Sequence, residues 1–121
     1  YRPVMWDTSS GNGAVVEQVW FRGTHGDVGG QVGEHPRARP LANIPLVWML
    51  EKIAARGVSL PEGWQDRFPC DPSAPSIGQW HGWAKLFWFR QGRAILFDPS
   101  ESLHDSITPV VPEASEQAYY T

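Results

Sequence analysis

The sequence predicts an α/β fold in which a buried strand of a mostly parallel sheet runs into a glycine-rich turn and then a helix. Three stretches carry this expectation. Residues 14–21 (AVVEQVWF) are rich in valine and aromatic side chains and lie between Gly13 and Gly23, the pattern of a strand. Residues 23–33 (GTHGDVGGQVG) hold glycines at 23, 26, 29, 30 and 33, a density that permits positive φ and close backbone approach. Residues 44–56 read as a helix, with Asn43 as N-cap, Pro45 tolerated in the first turn and Gly57 just past the end.

The strand is apolar along most of its length, interrupted at Glu17 and Gln18, which suits coverage on both faces as in a parallel sheet. On the helix, Leu46, Leu50 and Ile53 share one face and Val47, Trp48 and Ala54 widen it, so the helix is expected to be largely buried. The following stretch is punctuated by Pro61, Pro69, Pro72 and Pro75 and reads as loop. Residues 79–89 (QWHGWAKLFWF) fit a strand, a short helix or a packing arm, and residues 93–97 are a weak strand candidate. The expected organisation is therefore a core piece over 1–60, an irregular aromatic-rich extension over 61–108 and a polar tail over 109–121. A single strand of this type needs partner strands and cover for both faces, and a parallel sheet needs several βα units. The missing strands are expected upstream, which makes residues 1–60 the C-terminal part of a larger core. The alternative is a small α+β domain that uses the tryptophan-rich segment as a second strand pair.

Composition narrows the function. Ten basic and thirteen acidic residues give a formal charge of −3, unlike the basic patch of a nucleic-acid binder. No run of about 18 apolar residues exists to span a bilayer. The single Cys70 fits a reducing compartment, so a cytoplasmic location is the default expectation. Seven tryptophans supply much of the apolar surface.

His25 follows the predicted strand closely. Ligands in open α/β sheets bind beyond the carboxyl ends of the strands, and imidazole is the side chain suited to proton transfer near neutral pH. On position alone His25 is a candidate general base and acid, or a loop histidine bonded to backbone. Asp27 is a candidate for orienting the imidazole or for structuring the loop through backbone contacts.

The run Val19-Trp20-Phe21-Arg22-Gly23-Thr24-His25-Gly26-Asp27-Val28-Gly29-Gly30 resembles the VWFPGVHSDVGG signature of a bacterial family of uncharacterised α/β-hydrolases. The best understood members of that family are type VI secretion phospholipase effectors. Residues 41–51 (LANIPLVWMLE) are similar to the family's LSDIALRWMLEE helix, residues 2–6 (RPVMW) to its FRPVLW segment, and residues 102–107 (SLHDSI) to its closing IHPSV element. The resemblance implies the C-terminal portion of an α/β-hydrolase-like sheet and a Ser-Asp-His triad to which this chain contributes His25. The family's nucleophile and acid segments, of the GFSRGA and VWDTV types, do not occur here and are expected upstream in the same polypeptide. The implied function is that of a serine-dependent ester hydrolase acting on a lipid or other ester, needing no cofactor and no metal, and secretion as a type VI effector becomes a further expectation. The chain departs from the signature at Thr24, at Gly26 where serine is common, and at Gln31-Val32.

Other signals compete. Residues 74–78 (APSIG) have the AxSxG form of a nucleophile elbow, but prolines flank Ser76 and no strand precedes it. His25, Asp27 and His35 match no zinc-ligand spacing. His35 reads as a solvated loop residue, His81 as packed among tryptophans, His104 as a cap or structural bond, and Cys70 as a loop thiol. The aromatic segment 80–89 is read as cover for the sheet or helix, with a lipid-facing patch as the alternative. A non-catalytic binding or scaffold module of the same fold and a metal-assisted hydrolase remain the alternative functions.

Overall fold

The computed structural model describes residues 4–9, 11, 13, 15–77 and 95–110, the last three by their backbone alone. The chain divides into two compact units, Tyr1–Trp20 with Gly82–Thr121, and Phe21–His81.

In the first unit, β1 (Gln18–Trp20) pairs in parallel with β2 (Glu101–Leu103), in the register Gln18 to Glu101, Val19 to Ser102 and Trp20 to Leu103. A parallel pair requires a long crossover, and the chain between these strands includes both α-helices. Gln18 N–H donates to the Ser100 carbonyl at 3.0 Å and His104 N–H to the Trp20 carbonyl at 2.9 Å, extending the ladder at both ends. The Glu101 carboxylate accepts the Trp20 indole N–H at 2.7 Å and the Leu96 and Asp98 N–H groups at 2.9 and 3.0 Å, closing the turn into β2. Asp98 in turn accepts Thr8 and Ser100, through hydroxyl and backbone N–H alike.

The expected strand over 14–21 is thus realised as three residues. Val15 is 88% exposed, and Ala14 lies outside the described residues. Gln18, which breaks the apolar run in sequence, is buried and does the work of a strand edge. Its amide oxygen accepts Trp6 N–H at 2.8 Å, and its amide nitrogen donates to the Trp6 carbonyl at 3.0 Å and to Ser100 Oγ at 2.8 Å. Residues 95–97 form no strand; the partner strand lies at 101–103 instead, where Glu101 anchors the preceding turn.

In the second unit, α1 (His25–Val28) is a single turn, and a 3₁₀ turn over Pro36–Ala38 runs directly into α2 (Arg39–Ala55). The helix starts five residues before the predicted start at Ile44. Pro40 fits its first turn, and Asn43 is no cap: it is buried inside the helix and its amide donates to the Pro69 carbonyl at 2.9 Å. Pro45 brings no N–H to the Leu41 carbonyl, yet the helix continues through it.

The buried part of α2 is Leu41–Pro45, at its start. The expected apolar face further on is only partly covered, with Leu46 40% exposed and Ala54 exposed. Residues 69–77 contact the first half of the helix. Asp71 N–H donates to the Pro40 carbonyl at 3.1 Å, and Ala74 packs with Leu41, Ile44 and Phe21. Ile77 packs on Val32, Ala38 and Ala42. Trp48 meets Phe21 edge to face at 5.5 Å, with Lys52 over its ring.

The region 61–108 contains a 3₁₀ turn (Trp64–Arg67) and β2, and a last 3₁₀ turn covers Asp105–Val110. The aromatic segment 80–89 and residues 111–121 lie outside the described residues, so the readings of both, including His81, concern no part of this description.

Replacing Gln18 by Leu keeps volume but strips partners from the Trp6 backbone. Urea unfolding of the Gln18→Leu variant is expected to show a loss of about 1–3 kcal/mol relative to wild type.

Candidate functional site

The segment 23–31 is a one-turn helix with both ends closed. Gly23 enters at φ 119°, where a side chain is strained and an added Cβ would sit 2.7 Å from Asp27 Cβ. Thr24 is the N-cap in extended geometry and forms a capping box with Asp27. At the other end Gly30 takes φ 74°; its N–H donates to the Asp27 carbonyl at 3.2 Å, and the Gln31 N–H reaches the Gly26 carbonyl at 2.8 Å. Those two bonds form a Schellman closure, with Gly30 at the left-handed position. The Arg39 guanidinium adds a bond to the Gly30 carbonyl at 3.0 Å.

His25 is the first residue of this turn and is exposed. Its carbonyl accepts the Gly29 N–H at 2.9 Å, so its backbone is held inside the turn while its side chain lies on the surface. An exposed imidazole with a fixed origin suits proton transfer to and from a bound group.

Asp27 is fully buried beneath the turn. Its Oδ2 accepts Thr24 N–H at 2.7 Å, Thr24 Oγ1 at 2.9 Å and Ser76 Oγ at 2.5 Å, and its Oδ1 accepts Ile77 N–H at 3.0 Å. Burial works against the charged carboxylate. The hydroxyl of Ser76, the N–H groups of Thr24 and Ile77 and the Thr24 hydroxyl outweigh it and hold the carboxyl below its usual range. Asp27 thereby ties the turn to the segment ending at Ile77.

Three residues that sequence reasoning did not assign to the site belong to its frame. Ser76 is a donor to Asp27, and Ile77 supplies a second donor. The Arg22 guanidinium holds the same segment through the Pro72 and Ala74 carbonyls at 3.1 and 2.8 Å. A Cβ on Gly26 would stand 2.8 Å from Ile77 Cδ1, so the serine common at that place in the resembled signature would require Ile77 to shift. The readable clue was the Thr24-x-x-Asp27 spacing of a capping box; nothing local in the sequence ties Ser76 to Asp27.

His35 is exposed and its carbonyl accepts the Ala38 N–H at 3.0 Å, opening the Pro36–Ala38 turn. His104 is half-buried; its Nδ1 accepts the Ser106 N–H at 3.2 Å and lies 2.9 Å from Ser106 Oγ at the start of the last 3₁₀ turn. The Cys70 thiol, on an exposed residue, contacts the Phe68 carbonyl at 3.4 Å; partial loss of water around the sulfur, together with the Glu51 charge, pushes it up, away from thiolate. Among the described residues no group of three or more His, Cys, Asp or Glu side chains is placed to hold a metal ion, and no helix is long and apolar enough to cross a membrane.

Residues 1–52 match the family model of the type VI secretion system (T6SS) phospholipase effector Tle1-like catalytic domain. The matched span includes β1, His25, Asp27 and most of α2. No curated protein and no solved structure matches the chain.

The lowered Asp27 carboxyl links the turn to pH. A carboxyl that sits lower in the folded than in the unfolded chain contributes stability that is fully present above its ordinary value of about 4 and is lost as pH falls through the folded value. Asp27→Asn is expected to cost about 2–3 kcal/mol at neutral pH, with the gap from wild type closing as pH drops below about 4. Urea unfolding of both proteins across that pH range checks it.

Proposed function

We propose that this chain is part of a serine-dependent ester hydrolase of the phospholipase type, in which His25 is the histidine of a Ser-Asp-His triad. The observation that carries the reading is an exposed imidazole on a turn closed at both ends and anchored by a buried carboxylate. The match of residues 1–52 to a phospholipase effector catalytic domain supports the substrate class, and the type VI route of export comes with it.

The fold follows the same reading. A two-stranded parallel pair is marginal alone, and Val15 and Leu103 leave apolar surface exposed beside it. Further strands of an α/β-hydrolase sheet would cover such surface, and residues upstream in the same polypeptide would bring the nucleophilic serine and the triad acid.

In the first half-reaction the serine hydroxyl attacks the ester carbonyl and His25 takes its proton. Backbone N–H donors of the upstream part stabilise the oxyanion. His25 then returns the proton to the departing alcohol as the carbonyl–oxygen bond breaks. Water, deprotonated by the same imidazole, releases the acid and restores the serine. Asp27 serves the turn that carries His25, and the triad acid comes from elsewhere.

The full-length polypeptide is expected to label with a fluorophosphonate probe and to release fatty acid from glycerophospholipid vesicles. His25→Ala should lower kcat by about 10⁴-fold or more and abolish labelling, with the unfolding curve unchanged. Labelling or turnover that survives in this variant overturns the assignment. The 121-residue chain alone should hydrolyse no ester.

A further inference from the structure

The turn that carries His25 is one helical turn long, and isolated helices of that length do not hold their shape. Its local supports are Thr24 and the glycine closure. Arg39 adds a bond to the Gly30 carbonyl, and further support comes from residues 69–77, which lie beyond the span matched to the family model.

This strap is fixed along its length. Asn43 holds the Pro69 carbonyl and the Pro40 carbonyl accepts Asp71 N–H. The Asp71 carboxylate folds the strap on itself by accepting Ser73 N–H and Oγ at 2.8 and 2.6 Å. Arg22 holds the Pro72 and Ala74 carbonyls, and Ala74 is buried against α2. The strap ends with Ser76 and Ile77 both donating to Asp27, while the Ile77 side chain seats against the bare Cα of Gly26, next in sequence to His25. A charge buried as completely as that of Asp27 needs donors on both oxygens. Thr24 serves Oδ2, and the strap residue Ile77 serves Oδ1.

We infer that Ser76, with Ile77, is a positioning residue for His25: the strap sets where the imidazole stands by fixing Asp27 and the turn above it. The inference rests on the reading of His25 as the general base. Misplacement of a reacting group by about 1 Å costs as much as 10²-fold in rate, so a clamp one residue removed from the imidazole matters to kcat more than to substrate binding.

The test uses the full-length polypeptide and two readouts. Ser76→Ala is expected to lower kcat about tenfold with KM unchanged, and Ser76→Thr, which keeps the hydroxyl, to recover most of it. Amide hydrogen exchange at Val28, Gly29, Gly30 and Gln31, whose N–H groups close the turn, is expected to quicken by about tenfold in Ser76→Ala and to return in Ser76→Thr. Unchanged exchange, or quicker exchange with unchanged kcat, overturns the inference.

A second pair decides the matter if Ser76→Ala does not fold. Gly26→Ala drives a methyl against Ile77 Cδ1, and Ile77→Val removes that atom, leaving the nearest contacts at 3.7 Å. The double variant should regain the kcat that Gly26→Ala loses; a double variant no better than the single overturns the inference. A wild-type protein that neither labels nor hydrolyses overturns the hydrolase reading and the catalytic role together. Exchange in that protein still separates a strap that holds the turn from one that does not.

Discussion

A single buried carboxylate organises the second unit. Asp27 lies under a one-turn helix that cannot sustain itself, and its charge is tolerable in the interior only because N–H and O–H donors surround it. The same bonds that satisfy the charge close the turn at Thr24 and draw in residues 76 and 77. Two small clusters of apolar side chains complete the arrangement, one around Val32, Ala38 and Ala42 and the other around Leu41, Ile44 and Ala74. Polar satisfaction and apolar burial thus converge on the first half of α2, and His25 is presented on the outside of what they hold.

The glycines acquire separate reasons within this scheme. Gly30 is needed for its left-handed backbone at the helix end, and Gly26 for the space that Ile77 fills. A run that looks like a flexible glycine-rich loop is a short element capped at both ends. The departure from serine at position 26 has a physical counterpart in the isoleucine fifty-one positions later.

Much of this was legible in the sequence where the rule is local. The valine and aromatic content located β1, the five glycines marked the turn, and the pattern after Asn43 marked a helix. The errors arose where a side chain found a distant partner. Gln18 looked like a break in an apolar strand, but its amide pairs with the backbone of Trp6. Asn43 looked like a cap because asparagine caps helices, but the Pro69 carbonyl offered its amide a buried acceptor and the helix began earlier. Ser76 sat in a pattern that mimics a nucleophile elbow, and its donation to Asp27 crosses forty-nine positions that no periodicity connects. Leu46 and Ala54 belonged to an apolar face that nothing in their own segment could show to be only partly covered.

The sequence distance between Asp27 and its donors has a consequence for the growing chain. When the segment with the histidine leaves the ribosome, the residues that complete its setting have yet to be made. A polypeptide ended near position 60 would keep every residue of the matched span and the Thr24 donors, and still lack the Ser76 and Ile77 donors to the buried Asp27 carboxylate. Domain limits drawn from motif similarity alone would therefore separate the turn that carries His25 from the segment that ties down its buried carboxylate.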